Sequence, residues 1–325
     1  MTITRRATLA SLLALAATAR AQHSFSRTIT IIVPFSAGGT LDVLARSLAL
    51  GMEKPAGQSI VIDNKPGASG IIASEFVQNA APDGHTLLFN SSGMWINQAL
   101  RPKTRYDVLR DFTPISQVGD LLHNYVLVPA RSPYRNLRQV LDAARAQPGK
   151  LSYATPGIGN SQHLFFEYLS AQAGGIKLVH VPYKGIPEQM TALIRGDVDL
   201  MSLNPLLARP QLRSGQVRAV AVCTPDGRRS PELPDVPEIT EELPAFKYSF
   251  SRFGFFAPPR TPAPVAQALH AVVTTAMRDP RVRETFGSAG IELVGKGSQE
   301  FGATIAADIA EYRRIAAASK IQIDE

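Results

Sequence analysis

From Ile29 onward, short runs rich in β-branched residues alternate with stretches whose apolar residues recur every three or four positions. That alternation calls for open sheets covered by helices, an α/β protein. Ile29 to Pro34 reads as a strand, and Leu41, Leu44, Ala45 and Leu48 follow at helical spacing. Ile60 to Asp63 is a second strand, with a helix running to about Asn79, and His85 to Asn90 a third, giving a βαβαβ start. A second series begins at Tyr125 to Pro129, with a helix over Asn136 to Ala146 and a strand over Leu151 to Thr155. A helix carrying Leu164, Phe165, Tyr168 and Leu169 comes next, then the strand Lys177 to Val181 and a helix starting near Pro187. Val198 to Leu203 and Val217 to Cys223 complete that sheet. With 325 residues, 45% of them hydrophobic, the chain can fill two sizeable cores.

Five prolines between Pro225 and Pro244 mark an irregular surface connection. Phe250 to Pro258 reads as extended, and helices follow at about Pro262 to Met277, Arg281 to Ala289 and Gln299 to Ala318. This tail carries no sheet signal of its own and should pack back onto the first domain. The expected organisation is a discontinuous first domain, 22–125 plus 250–325, and a second domain, 126–249. Two crossings, near Tyr125 and Phe250, make a two-strand hinge.

The first residues follow an export pattern: Arg5 and Arg6, an apolar core from Ala7 to Ala17, and Ala19-Arg20-Ala21 as a cleavage site. An export signal over 1–21, cleaved near Ala21, implies a periplasmic protein, with the general secretory and twin-arginine routes both open. The formal charge of +7 includes three leader arginines, so 31 basic against 27 acidic residues leave a scattered surplus of four. That argues against a nucleic-acid surface. Cys223 is the single cysteine and ends an apolar run, where a buried structural thiol is expected. With no cysteine in the leader, no lipid anchor is expected either.

Two loops carry the candidate chemistry. Phe35-Ser36-Ala37-Gly38-Gly39 joins a strand end to a helix start and continues through Leu41 and Asp42. Free amides and the positive end of a helix dipole suit an anion there, and the lack of Lys or Arg in the loop favours a carboxylate over a phosphate. The alternative is a tight turn capped by Ser36 or Thr40. Thr155-Pro156-Gly157-Ile158-Gly159-Asn160-Ser161-Gln162-His163 repeats the arrangement in the second series. Two such loops can face one another at the C-terminal ends of the strands. His163 either adds a donor or packs against its own loop, and Asp42 either meets the ligand or steadies the helix start. Ser91, at the end of the third strand, and Asn204 complete the expected ligand-binding set. Lys184 either attracts anions or is a solvated turn lysine.

Enzymatic signatures are missing: no GxSxG elbow, P-loop or GxGxxG fingerprint occurs, and neither the six histidines nor the lone cysteine has metal-ligand spacing. No catalytic residue, cofactor or metal is expected.

At these residues the chain resembles the Bug family, the periplasmic substrate-binding proteins of tripartite tricarboxylate transporters. Val33 to Asp42 is similar to the family's VPF-x-AGG-x-x-D loop, and Asn64-Lys65-Pro66-Gly67-Ala68 to its N-[KR]-PGA turn. Ala81 to Leu88 resembles APDGYTLL, Gly157 to Leu164 resembles G-x-G-x-x-x-HL, and His180 to Gly185 reads HVPYKG. Asp199-Leu200-Met201 and Leu233 to Pro237 match DLM and LPDVP. The resemblance implies a two-lobed periplasmic binding-protein fold of type II that closes on a carboxylate-bearing metabolite, held by amides of both loops. The implied partners are that ligand and integral membrane transporter subunits; no nucleic acid is implied, and the receptor is expected to be a monomer. The alternatives are a secreted hydrolase with a non-motif active site and a ligand-presenting partner of a membrane sensor. Departures from the family pattern fall at Leu41, Leu203, Arg252 and Met94-Trp95. A lost acid before Asn204 and a gained arginine raise the expectation of a second anionic group on the ligand, provided those positions reach the cleft.

Overall fold

The β-branched runs pair into two separate sheets. The structure, a computed structural model, describes residues 25–101, 104–247, 251–318 and 321; the expected leader lies outside them. In the first sheet, β1 (Ile29–Val33) lies between β2 (Ile60–Asn64) and β3 (Thr86–Ser91), all parallel. It is extended by β4 (Thr113–Leu121), β10 (Arg252–Ala257) and β11 (Ile291–Gly297) to give the order β11-β4-β10-β3-β1-β2. The second sheet has the order β7-β6-β8-β5-β9, built from β5 (Asn124–Pro129), β6 (Ser152–Thr155), β7 (Val179–Pro182), β8 (Leu200–Leu203) and β9 (Val217–Cys223). Within it β6, β7 and β8 are parallel.

Both sheets repeat one topological device. The chain leaves the central strand, β1 or β6, to a neighbour on one side and returns to the other side. Such a reversal opens a crevice beyond the C-terminal end of the central strand. The loops that follow β1 and β6 are the two glycine loops.

Ten helices of four residues or more cover the described sheets. In the first lobe they are α1 (Thr40–Ala56), α2 (Ile71–Gln78), α3 (Gly93–Leu100), α8 (Ala263–Ala276), α9 (Pro280–Ser288) and α10 (Ser298–Ala318). In the second they are α4 (Leu137–Ala146), α5 (Ser161–Gln172), α6 (Ile186–Arg195) and α7 (Pro205–Arg213). Their ends follow local chemistry. Asn136, Asn160 and Asn204 cap α4, α5 and α7 by accepting first-turn N–H groups, and Gly57 ends α1 in the left-handed conformation. Leu44, Leu48 and Met52 of α1 are fully buried against β1 and α8, the stripe that the spacing predicts.

Two expectations are corrected, and the stretch between Ser91 and Tyr125, to which no element was assigned, forms α3 and β4. Gly119 of β4 sits where a side chain would strike the Glu292 carbonyl. The tail does contribute a strand: β11 pairs antiparallel with β4, a short edge segment whose glycines hide it. The first changeover between sheets comes at Leu122–His123, so Tyr125 already belongs to the second sheet. The Leu122 and His123 amides both donate to the Gly290 carbonyl, at 2.8 and 3.3 Å, anchoring this link to the first lobe.

Candidate ligand-binding cleft

The crevices of the two sheets meet in one cleft with a cavity of about 90 Å³. That is several times the roughly 10–15 Å³ needed for one water, room for a small molecule and not for a polymer. Phe35, Gly39, Leu41 and Ser91 line it from the first lobe, and Asn160, Ser161 and Asn204 from the second. The two glycine loops therefore share a crevice. Thr155, Gly157, Gly159 and His163 stand behind its wall, and Ser36, Ala37, Gly38 and Asp42 beside its mouth; none of these eight lines the cavity.

The glycine amides are engaged within their own loops, contrary to expectation. Gly38 N–H donates to Asp42 Oδ2 at 2.9 Å. Gly157 N–H donates to Thr155 Oγ1 at 3.2 Å, and Gly159 N–H to His163 Nδ1 at 3.0 Å. Asp42 is thus a loop brace. Burial works to raise its pKa, but hydrogen bonds from Arg46 and Gly38 outweigh that and hold it below the usual carboxylate range. The Arg46 guanidinium, 2.9 Å from Asp42 Oδ1, also screens its charge from the cleft.

His163 has a comparable role. Its ring stacks on His180, centroids 4.0 Å apart and 11° from parallel, and His180 Nε2 lies 2.6 Å from Thr155 Oγ1. Burial, with the neighbouring cationic forms of His180 and Arg101, lowers the His163 pKa to about 3, and burial lowers that of His180 to about 4. Both rings are neutral at pH 7, and the Gly159 bond places the acceptor on His163 Nδ1.

The unengaged donors lie one step further along the chain. In the first turn of a helix the N–H groups have no intrahelical partner and point out of its end. The amides of Thr40 and Leu41 in α1, and of Ile186 in α6, donate in none of the described hydrogen bonds, and all three residues line the cavity. The two helix ends face each other: a Cβ placed on Gly39 would lie 3.6 Å from Ile186 Cγ1. The α5 and α7 N-termini open on the same cleft at Ser161 and Asn204, so four positive dipole ends converge there. Among the described residues, no ionisable side chain lines the cavity.

Sequence reasoning missed Thr40, Gly185 and Ile186 as cleft residues, along with Asn124, Gln162, Ser202 and Phe253. Gly185-Ile186-Pro187 is a legible helix start; its position opposite Gly39 is not legible. Of the departures from the family pattern, Leu41 and Leu203 line the cavity, whereas Arg252, Met94 and Trp95 do not. Arg252 pairs with Asp120 at 2.9 Å and Asp308 at 2.8 Å, while Trp95 Nε1 donates to Asp308 at 3.1 Å and Met94 is buried. Burial works to lower the Arg252 pKa, but Asp308 and Asp120 hold it above the usual value. The expected second anion site is therefore absent at Arg252, because both its ion-pairing faces are taken by the protein. Lys184 is exposed and outside the cavity, and Cys223 is a buried free thiol.

Several contacts join the lobes around the cleft. Asn204 Nδ2 donates to Thr40 Oγ1 at 2.7 Å, Ser36 Oγ to Glu188 Oε1 at 2.7 Å, and Gly157 packs on Ser69.

Two α/β lobes whose βα turns face each other across an uncharged cleft define a solute-binding protein of the periplasmic binding-protein fold. The chain belongs to the tripartite tricarboxylate transporter receptor family: the family model described as "Tripartite tricarboxylate transporter family receptor" matches residues 44–321. It is 40% identical over 272 residues to a protein encoded in the tcbD-tcbE intergenic region of Pseudomonas sp. (strain P51), covering 83% of this chain and 80% of that one. Among solved structures, the periplasmic binding protein BugD superposes with a TM-score of 0.84 at 29% identity, over 92% of this chain and 99% of its own. The R. palustris protein Rpa4515 with adipate gives a TM-score of 0.84 at 30% identity, over 91% and 98%. These likenesses bear out the resemblance to the Bug family read from the motifs. No helix among the described residues is long and apolar enough to cross a membrane.

Proposed function

We propose that this protein is a periplasmic receptor that captures a small carboxylate-bearing metabolite by closure of its two lobes and presents it to integral membrane transporter subunits. The observation that carries the reading is the convergence of four helix N-termini, with the unengaged amides of Thr40, Leu41 and Ile186, on a cavity that no charged side chain among the described residues lines. Hydrogen bonds to an ionised group contribute about 1.5–3 kcal/mol each, so three amides aided by dipoles offset much of a carboxylate's desolvation. Cations in the cleft would hold the ligand more tightly than a protein that must hand it on requires.

In this reading the moving lobes are the one built on β1–β4, β10 and β11 and the one built on β5–β9, with the changeover at Leu122–His123. The ligand lies against Phe35, Gly39, Thr40 and Leu41 on one side and Asn160, Ser161, Ile186 and Asn204 on the other. The remaining glycine-loop residues, with Asp42 and His163, shape the two loops. Closure follows from differential affinity, since a ligand touching both lobes favours the state that brings them together. The protein performs no chemistry on its ligand, needs no cofactor, and works as a monomer in the periplasm.

Native mass spectrometry of the purified protein tests this. One small organic acid per chain, released unchanged on denaturation, is the expected result, and its re-addition should raise the melting temperature with concentration. Conversion of the acid to a product would overturn the reading.

A further inference from the structure

We infer that the ligand is a monocarboxylate with a compact apolar body, not a di- or tricarboxylate; the inference rests on the receptor reading above and specifies its substrate class. Once the protein's own bonds are counted, three unengaged backbone donors among the described residues lie together, where Thr40 and Leu41 meet Ile186.

Elsewhere most side-chain donors of the cavity wall are taken by the protein itself. Gln162 Nε2 donates to the Ser202 carbonyl at 2.5 Å, and the Ser251 hydroxyl to Ser161 at 2.6 Å. Asn160 Nδ2 is turned back onto the Gly157 carbonyl, and Asn204 Nδ2 is held by Thr40. Ser91, Asn124 and the Ser202 hydroxyl, which has no hydrogen-bond partner among the described residues, remain: neutral groups that suit a hydroxyl or an ether oxygen and include no cation to meet a second carboxylate. A buried carboxylate needs several charge-directed donors or a cation to offset its desolvation.

Three ionisable groups near the cleft are committed too, and Lys184, beside Gly185, is exposed and outside the cavity. Asp42 is held by Arg46, Glu188 by Ser36, and Arg252 by Asp120 and Asp308. The rest of the cavity wall is largely apolar, with Leu121, Phe165, Leu203 and Phe253, and Leu41 and Ile186 flank the donor site. Such a wall rewards an aromatic ring or a branched aliphatic body.

The test is isothermal titration calorimetry of the full protein, freed of co-purified ligand by denaturation and refolding, against benzoate, isovalerate, adipate, malate and benzamide. Benzoate or isovalerate should bind about tenfold tighter than either dicarboxylate, and benzamide, which keeps the ring and lacks the charge, should bind weakly. Adipate or malate binding as tightly as the monocarboxylates overturns the substrate class and leaves the receptor reading standing. Binding of none of the acids likewise overturns the substrate class, whereas conversion of any of them to a product overturns the receptor reading itself. Leu203→Asn should weaken the preferred monocarboxylate roughly tenfold, the loss of one good apolar contact; unchanged affinity in the folded variant counts against the proposed apolar wall. Should that variant not fold, the wild-type panel decides alone.

Discussion

Asn204 joins the two lobes to one another and to the start of a helix at once: its Oδ1 accepts the Leu207 amide that caps α7, while its Nδ2 donates to the Thr40 hydroxyl across the cleft. The same side chain therefore fixes where a helix N-terminus sits and how far apart the lobes rest. Thr40→Val keeps the shape of the partner and removes only the acceptor. A net hydrogen bond is worth about 0.5–1.5 kcal/mol, so ligand affinity should fall roughly two- to tenfold with little change in melting temperature, as calorimetry would show. Asn204→Ala should lower affinity comparably and also cost about 1 kcal/mol of stability through the lost cap.

Gly157 has φ of +127°, and a Cβ there would run into the Ser69 side chain of the opposite lobe. Gly157→Ala places a wedge in the closing interface. Small-angle scattering should find this variant more extended than the wild type when saturated with ligand, and affinity should drop at least tenfold. A compact, full-affinity variant would show that the contact is not part of closure.

Arg252 is the ionic tie of the hinge region, spanning the end of β4, the start of β10 and helix α10 through Asp120 and Asp308. Removing one partner of such a pair leaves the others buried and uncompensated, a loss that reaches 3–5 kcal/mol at fully buried sites. With the Arg252 side chain 22% exposed, Arg252→Ala should destabilise by about 2 kcal/mol in a denaturant titration. Ligand affinity should stay within about twofold, because the guanidinium is outside the cavity; a selective loss of ligand binding would contradict that placement.

The stacked histidines give stability a pH dependence of definite sign. The His163 pKa is lowered to about 3 in the folded protein, against about 6.5 unfolded. Between those values the unfolded chain binds the extra proton. The contribution is thus intact above pH 6.5 and is lost as pH falls toward 3, with a limiting slope of about 1.4 kcal/mol per pH unit. His180, lowered to about 4 by burial, acts in the same direction. His163→Gln, which keeps an acceptor for Gly159 N–H, should show a flatter fall in melting temperature between pH 6.5 and 4.5.

Much of this molecule was legible in its residues. Strands such as Ile29–Val33 and Val217–Cys223, the apolar stripe of α1, and the asparagine-capped helix starts follow from interactions within a few residues of one another, so local spacing suffices to predict them. Both glycine loops, and their place at the strand ends, were legible for the same reason. The strands β4 and β11 were not, because their pleat is irregular and they are strands only by virtue of pairing with each other and with β10.

What only the tertiary structure decided is the division of labour within the cleft. The sequence assigned the anion to glycine amides, but Asp42, Thr155 and His163 take those N–H groups, leaving Thr40, Leu41 and Ile186 as the unengaged donors. It left Arg252 free to meet a second charge, but Asp120 and Asp308 enclose it from strands and helices up to 132 residues distant in the chain. A hydrogen-bonding group serves whichever partner the fold brings nearest, and Gly39 meets Ile186 only because two separate sheets place their crevices face to face.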